Sequence, residues 1–566
     1  MLAGLSGIER CLVKTVFRVI LGFLALLILS GVALTVWFKG QAKDDGGANR
    51  PKSAAYTWAQ PDGKAADPRA GPVDDDPKAH SLPNTPRGGP VPRADGFVMG
   101  SLGTGNMLTP MPPERVTDIA RKDNVHKAVA IKTCFWPGPR LRSGYYTTDP
   151  DDYGIENQIP DIGNTFSTAW FSIPVGGKIV LTGEFPHMRH WSYVTYSVDG
   201  VPRDGIADTE IEPDAGSVNP FRDGVRRDAM PRKYTITVVN GNPPADKAAR
   251  PKNTVYTLSE PGTPTGMHMR NYIPDQGLDW TGGVGLPKAS LVGADGKAMS
   301  EQDTCVATDV PHKRGKQSPI TVSPKLWMAL NSLPWRPVDR TPASNFEVTP
   351  MEKFYNREHL LLKTFFPIIP SGGLAVEKGG FWSNPVTRYG FTYLSQAYGS
   401  VYVAHGKMPS TPSTFNGDPT PMKQDADMRY WSMCTSTAPA IGNTVDCVHD
   451  ENVRPIVDAR GYFSVVVSRA SDRPNNANAK CGVEWIEYGN GDGIPGGSAD
   501  YGSLINRHTV VNPAFKNSWF DVSASNSEKQ AMGDYLPYVI NMHDKAKFEA
   551  LGCPVDTGKF TAMVKR

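Results

Sequence analysis

No Cys-x-x-Cys pair occurs anywhere in the 566 residues, which argues against zinc ribbons and thioredoxin-type redox chemistry. No His-x-His and no His-Glu-x-x-His is present, so the usual strand-borne and helix-borne zinc sites lack their ligands. His187 and His190 are three apart in a strand-like context and point to opposite faces, so they would not chelate jointly. Gly-x-Ser-x-Gly is missing too, and with it the nucleophile elbow of serine hydrolases. A Gly-x-Gly-x-x-Gly match does exist, Gly491-Asp492-Gly493-Ile494-Pro495-Gly496. It contains a proline and no helical pattern follows, so it reads as a loop and not as a dinucleotide fingerprint. Asn490-Gly491-Asp492-Gly493 lacks the first and last ligands of an EF-hand loop. A large excess of positive charge is also lacking. The net charge is +3 and no dense Lys/Arg block lies beyond the N-terminal segment, so no nucleic-acid partner is expected. No Asn-x-Ser/Thr acceptor occurs either, which is compatible with a bacterial periplasm.

What the chain has in quantity is glycine, proline and aromatics: Gly 56, Pro 50 and 9% Phe, Trp and Tyr. That mixture favours short strands joined by many turns over long helices. The length calls for two to four folded units.

Residues 19–38 form a run of twenty positions without a charge, long enough as a helix to cross a hydrocarbon core of about 30 Å. Arg10, Lys14 and Arg18 precede it, while Lys39 and Lys43 are accompanied by Asp44 and Asp45. The positive-inside bias therefore places 1–18 in the cytoplasm and everything beyond 38 in the periplasm, with a single pass through the inner membrane. A cleaved signal peptide is the alternative, since Gly40-Gln41-Ala42 offers small residues. The apolar run exceeds the roughly 7–15 residues of a signal core, so an uncleaved anchor is the expectation. Cysteine usage agrees. Cys11 precedes the run, and the other six residues, Cys134, Cys305, Cys434, Cys447, Cys481 and Cys553, follow it. An even number in an oxidising compartment suggests up to three disulfides. Cys434 and Cys447 flank a turn-rich loop and are the best local pair; Cys134–Cys305 and Cys481–Cys553 follow by elimination.

Beyond the apolar run, 39–100 is dense in Pro, Gly, Ala and Asp without apolar periodicity. Such a linker cannot bury enough apolar surface to offset its ordering entropy. A short helix is expected near 113–120. A first β unit follows (101–322), with strands expected at 129–135, 168–173, 178–184, 191–198, 234–239 and 255–258. Tyr234-Thr235-Ile236-Thr237-Val238 alternates as a half-buried strand does, whereas Ile179-Val180-Leu181 is a continuous apolar run, as expected of a strand covered on both faces. A helical connector (323–366), a second β unit (367–524) and a C-terminal helix and tail (525–566) complete the division. The last helix is expected to open on a capping box formed by Ser525 and Glu528 and to be interrupted by Pro537.

The two β units look like copies. Met188-Arg189-His190-Trp191-Ser192 recurs as Met428-Arg429-Tyr430-Trp431-Ser432. Upstream, Val180-Leu181-Thr182-Gly183-Glu184-Phe185-Pro186 answers Val403-Ala404-His405-Gly406-Lys407-Met408-Pro409. Downstream, Tyr234-Thr235-Ile236-Thr237-Val238 answers Tyr462-Phe463-Ser464-Val465-Val466, and Tyr256-Thr257-Leu258 answers Trp485-Ile486-Glu487. The copies differ in their loops, 410–427 in the second and an acidic insert in the first, and divergent loops on a common scaffold are where function usually sits.

The repeated Arg-(His/Tyr)-Trp-Ser phrase, the strand Gly461-Tyr462-Phe463-Ser464-Val465-Val466-Val467-Ser468, the following Trp485, and Arg270-Asn271-Tyr272-Ile273-Pro274 together carry a resemblance. They resemble bacterial envelope proteins of the domain-of-unknown-function families 1254 and 1214, over 166–274 and 391–507. The second copy departs by reading Arg507-His508-Thr509 where the first has its Arg-x-Tyr-x-Pro ending. The resemblance implies tandem antiparallel jelly-roll-like sandwiches and no particular activity.

Two constellations could carry chemistry. Arg189 with Trp191, and Arg429 with Trp431, share a strand face, and a guanidinium beside an indole can bind a carboxylate or stack on a sugar. The competing expectation is that each Trp fills a core while each Arg ties down a neighbouring loop. In the acidic insert, Asp208, Glu210 and Glu212 fall at period-two spacing, so an extended chain would gather them on one side. Gathered carboxylates could act as the acid and base of glycan or amide hydrolysis, could ligate Ca²⁺ in a chain otherwise expected to need no cofactor, or could simply protect a sheet edge. The expected role is thus a membrane-anchored periplasmic binding or structural protein, with membrane-protein or glycan partners; the alternative is a hydrolase using the acidic residues between the two units.

Overall fold

The computed structural model describes 159–565 apart from internal gaps, the longest being 309–323 and 332–346, together with 97–99, 108–110, 135–136 and 139–140. The 19–38 run, the linker up to 96, the helix expected near 113–120 and Cys134 lie outside the described residues, as does all of the strand expected at 129–135 except Phe135. Among the described residues, no helix is long and apolar enough to cross a membrane.

The architecture is mainly β. The first unit contributes β1 (Asn164–Phe171), β2 (Lys178–Glu184), β3 (Met188–Tyr196), β4 (Pro202–Ala207), β5 (Lys233–Val239), β6 (Thr254–Tyr256), β7 (Thr265–Pro274) and β8 (Lys288–Val292). One sheet has the order β1-β7-β3-β4, extended beyond β1 by Pro139–Arg140; the other has β8-β2-β5-β6. The second unit contributes β9 (Thr387–Ser395), β10 (Val401–Lys407), β11 (Met428–Ser436), β12 (Thr444–His449), β13 (Tyr462–Ser468), β14 (Glu484–Glu487), β15 (Tyr501–Val511) and β16 (Tyr538–Asn541). Its sheets run β9-β15-β11-β12 and β16-β10-β13-β14, with Glu352–Lys353 and Val348–Pro350 added at the edges beside β9 and β16. The strand order of the first pair of sheets is thus repeated in the second. Even the single parallel contact recurs, β5 with β6 and β13 with β14, amid otherwise antiparallel pairing.

Within each unit the sheets face each other across an apolar core. Ile179, Leu181, Ile236 and Val238 meet Phe171, Trp191, Tyr193 and Met267 in the first. Ala404, Phe463, Val465 and Val467 meet Leu394, Trp431, Met433 and Leu504 in the second. Alternation of the strands explains this only in part. In β5 every second residue is buried, whereas β13 is buried throughout. The reason is the C-terminal segment. Helices Lys545–Glu549 and Gly558–Lys565 bring Phe548 and Phe560 onto the outer face of the second unit's sheet, against Val401, Val403, Val466 and Ile540. The helices of the connector, Pro324–Asn331 and Arg357–Phe365, cover Phe391, Tyr393 and Ile505 of the other sheet with Leu326, Trp327, Leu361 and Phe365.

Three expectations are corrected here. Ile179-Val180-Leu181 is not covered on both faces, because Val180 is half-exposed on the open outer side of β2. The segment 525–566 is not one interrupted helix. Glu528–Met532 is followed by a turn and then, beyond Pro537, by β16, whose β-branched residues complete a sheet. Ser525 does not cap that helix either; Ser527 occupies the cap position, and the Ser525 hydroxyl instead meets Lys363 Nζ and His359 Nε2, each at 3.3 Å.

Candidate functional site

The two repeated phrases lie on β3 and β11, where the units meet, and both are buried along their whole length. Trp191 and Trp431 point into their own sandwiches. Trp191 packs against Phe185, Tyr193 and Tyr234, and Trp431 against Phe463 at 4.9 Å. The arginines two residues earlier sit nearer the strand ends and reach into the other unit instead.

Arg189 donates to Asp450 and Glu451 of the second unit, and its Nε donates to Thr414 Oγ1 at 2.9 Å. Asp450 in turn accepts the backbone N–H of Trp431 at 3.2 Å. The mirror arrangement holds in the other direction. Arg429 approaches Asp208 of the first unit at 3.8 Å and donates to the carbonyl of Phe221 at 3.0 Å. Asp208 accepts the backbone N–H of Trp191 at 3.2 Å and lies 2.7 Å from His190 Nδ1. Each unit therefore lends the other an arginine and receives one. Asp208 and Asp450 occupy matching places, directly after β4 and β12, and both turns close alike: Glu210 accepts the N–H of Ala207 at 2.8 Å, and Asn452 Oδ1 that of His449 at 3.1 Å.

All four charged groups are buried, so their electrostatics follow from desolvation set against contact. Burial alone would raise Asp208, but His190, Arg429 and the Trp191 N–H outweigh it and hold the carboxyl below the usual range. Burial would lower Arg189; Asp450 and Glu451 outweigh it and raise the guanidinium. For Arg429 burial prevails over Asp208, with Arg189 adding to it, and the guanidinium is lowered. The first exchange is thus the tighter of the two.

Other polar groups tie the units together. Asp161, before β1, accepts from the Tyr430 hydroxyl at 2.7 Å and from the Ser432 hydroxyl. Asn384, before β9, donates to the Tyr272 hydroxyl at 3.2 Å. The 410–427 loop of the second unit lies across the first: the carbonyls of Thr414 and Asp418 accept from Arg227, and that of Phe415 from the Gln276 N–H. The loop that distinguishes the second copy thus serves as a clamp between units.

The acidic insert is built differently from the extended chain expected of it. Asp208–Glu210 forms a 3₁₀ turn, which breaks the period-two spacing, and the three carboxyl groups have different partners. Asp208 is spent in the exchange and Glu210 on its own turn. Glu212 is held by Arg222 at 2.9 Å and Lys252 at 3.1 Å, and these hydrogen bonds pull it down to about 2. Among the described residues the carboxylates that converge with other metal-ligating groups are not these. Asp161 meets Cys434 and Cys447, whose sulfurs are joined in a disulfide and offer no thiolate. That pairing follows from register, since the two cysteines lie directly opposite on β11 and β12. Cys481–Cys553 also forms. Cys305 is disulfide-bonded as well, and its expected partner, Cys134, lies outside the described residues.

The sequence carried a signal for this site that spacing arguments on the insert alone missed. Asp204-Gly205-Ile206-Ala207-Asp208 and Asp446-Cys447-Val448-His449-Asp450 repeat an Asp-x-x-x-Asp pattern. The second Asp of each makes the exchange, and the first grips the parallel edge strand of its own unit. Asp204 accepts the Tyr256 N–H at 2.7 Å, and Asp446 accepts the Glu487 N–H at 3.0 Å. Thr195 and Thr435 donate to the carbonyls of the same two residues, at 2.7 and 2.6 Å. Glu487 thus stands in the second unit where the first has a tyrosine.

Glu487 is 4% exposed, and burial, with Asp446 adding to it, pushes its carboxyl up to about 8 against the N–H bonds it accepts from Gly489 and Ala470. A folded-state value above the unfolded one means that its contribution to stability is fully present below about pH 4.5 and is lost as pH rises through 8. Comparing Glu487→Gln with the parent by urea unfolding across that window is therefore expected to remove a downward slope of up to about 1.4 kcal/mol per pH unit. Parallel pH profiles for the two proteins would show that the carboxyl is already ionised in the fold.

Comparison with known proteins adds little beyond this. No family model matches the chain, and no curated protein matches it either. Among solved structures, an uncharacterized protein from Burkholderia cenocepacia is similar at 14% identity, covering 72% of this chain and 88% of its own, with a TM-score of 0.36. A Vibrio parahaemolyticus protein is similar at 10% identity, covering 68% and 90%, with a TM-score of 0.31.

Proposed function

We propose that this chain is a binding or structural protein of the bacterial envelope, anchored in the inner membrane by 19–38 with its β units in the periplasm, and serving membrane-protein or glycan partners. On this reading the units are tandem jelly-roll-like sandwiches akin to the domain-of-unknown-function families 1254 and 1214. The observation that carries the proposal is the reciprocal Arg189–Asp450 and Arg429–Asp208 exchange. It consumes the Arg–Trp pairs and Asp208 within the protein's own interior, in the manner of a structural joint. Desolvation offsets much of what a buried ion pair contributes to net stability, whereas loss of one member leaves the other unpaired at a high cost. The disulfides favour an oxidising compartment. The hydrolase reading needs two carboxyl groups facing one substrate, and the dispersal of Asp208, Glu210 and Glu212 gives it no support.

Reporter fusions after Arg566 test the topology. Alkaline phosphatase, which folds only outside the cytoplasm, is expected to be active there, and the fusion is expected to stay with the membrane fraction after an alkaline carbonate wash. An inactive phosphatase fusion, together with fluorescence from a reporter that matures only in the cytoplasm, would overturn the proposal.

A further inference from the structure

At the rim of the joint lies a cation that the exchange does not use. Arg232, immediately before β5, is 1% exposed. Its NH1 donates to the carbonyl of Arg227 at 3.0 Å and lies 2.7 Å from His187 Nε2; its NH2 reaches the carbonyl of Pro186 at 3.4 Å. Its Nε is buried with no hydrogen-bond partner. Among the described residues no carboxylate lies within 4.0 Å of it. The acids around it are Asp275, Asp228 and Glu184, which act on it from further away. Asp275 is bound by Arg227, and Asp228 by Arg226 at 2.8 Å.

Burial, with Arg227 adding to it, lowers the Arg232 guanidinium to about 10, which leaves it cationic at neutral pH. His187, half-buried beside it, is pushed down to about 4 by burial and the two arginines, and is neutral there. Arg227 and Arg232 therefore bring two buried positive charges against one contacting carboxylate, that of Asp275. A buried charge without a contacting counter-charge is costly, which is why such groups are found paired. A guanidinium whose Nε–H is unpaired keeps a donor for a charge-assisted hydrogen bond to an oxygen of a planar or tetrahedral anion.

We propose that Arg232, flanked by Arg227 and His187, is a binding site for a small oxyanion, a carboxylate or a phosphate group, which enters past the half-exposed His187 ring. The site gives a ligand class to the binding role proposed above. It does not depend on the topology, so the reporter fusions and the anion titrations fail independently.

The test uses the full chain in mild detergent, with sodium phosphate or sodium acetate replacing sodium chloride at constant ionic strength and pH 7. Either anion is expected to raise the melting temperature, because a ligand that binds only the folded state stabilises it by mass action. Phosphate acting alone would identify the class as phosphate, and acetate alone as carboxylate. Bound anion is also expected to raise the His187 pKa, read by NMR titration, since it offsets the positive charge beside the ring. Arg232→Gln should abolish both responses, while Arg226→Gln, an exposed control, should leave them intact. If Arg232→Gln does not fold, His187→Trp, which closes the entrance, decides instead and should lose the response. Equal melting temperatures in all three salts, or a response that survives whichever of these two variants folds, would overturn the site.

Discussion

Replacing Arg189 with methionine is expected to destabilise the protein by about 3–5 kcal/mol, the cost of leaving a buried partner charge unpaired. Asp450 would keep the Trp431 N–H at 3.2 Å but lose its only contacting cation among the described residues. Glu451 would suffer less, because Arg454 stands 3.6 Å from it. Urea unfolding of the full chain in detergent provides the measurement. The double variant Arg189→Met with Asp450→Leu should recover part of the loss, since replacing both members by apolar groups removes the unpaired charge. Arg429→Met should cost less than Arg189→Met, because Asp208 retains His190 at 2.7 Å and Arg429 stands off at 3.8 Å. Because the pairs join two units, the variants should also separate one calorimetric transition into two. A loss below about 1 kcal/mol for Arg189→Met, in the range of an exposed pair, would show that the joint holds without it.

Trp431→Ala is expected to cost about 3–5 kcal/mol as a large-to-small change in a packed core. Trp431 is fully buried between the sheets, against Phe463 and directly across from His508 of β15. Burial pushes His508 down to about 3, so the ring is neutral in the fold, and the truncation would open a void beside a group already short of partners. Trp191→Ala should behave alike in the first unit, where the indole is 1% exposed. Trp431→Phe, which conserves most of the volume, should lose far less. If Trp431→Ala unfolds at the same urea concentration as the parent but loses binding to a glycan or membrane partner, the indole is a recognition element and the core assignment fails.

Much of the strand framework was legible in advance. The bounds expected for β2 and, to within a residue, for β5 match those observed, since Gly, Pro and Asn punctuate both runs, the one continuously apolar at its start and the other apolar at every second position. The duplication was legible because the recurring phrases keep their order, and the repeated strand order of the sheets agrees with it. Pairing of Cys434 with Cys447 was legible from proximity alone. β16 was not, because its four residues follow a helix-like stretch and find a place only beside β10 and Val348–Pro350, far away in the chain.

The site was the least legible part. Spacing put Asp208, Glu210 and Glu212 on one side of an imagined strand, and a 3₁₀ turn put them on three different duties. Residue chemistry and periodicity act over a few positions, so strand identity, the repeat and the local disulfide were open to the sequence. Which cation each carboxylate meets depends on which faces the two units bury together. Arg189 and Asp450 are 261 positions apart, and neither copy contains both halves of the pair it was built to make.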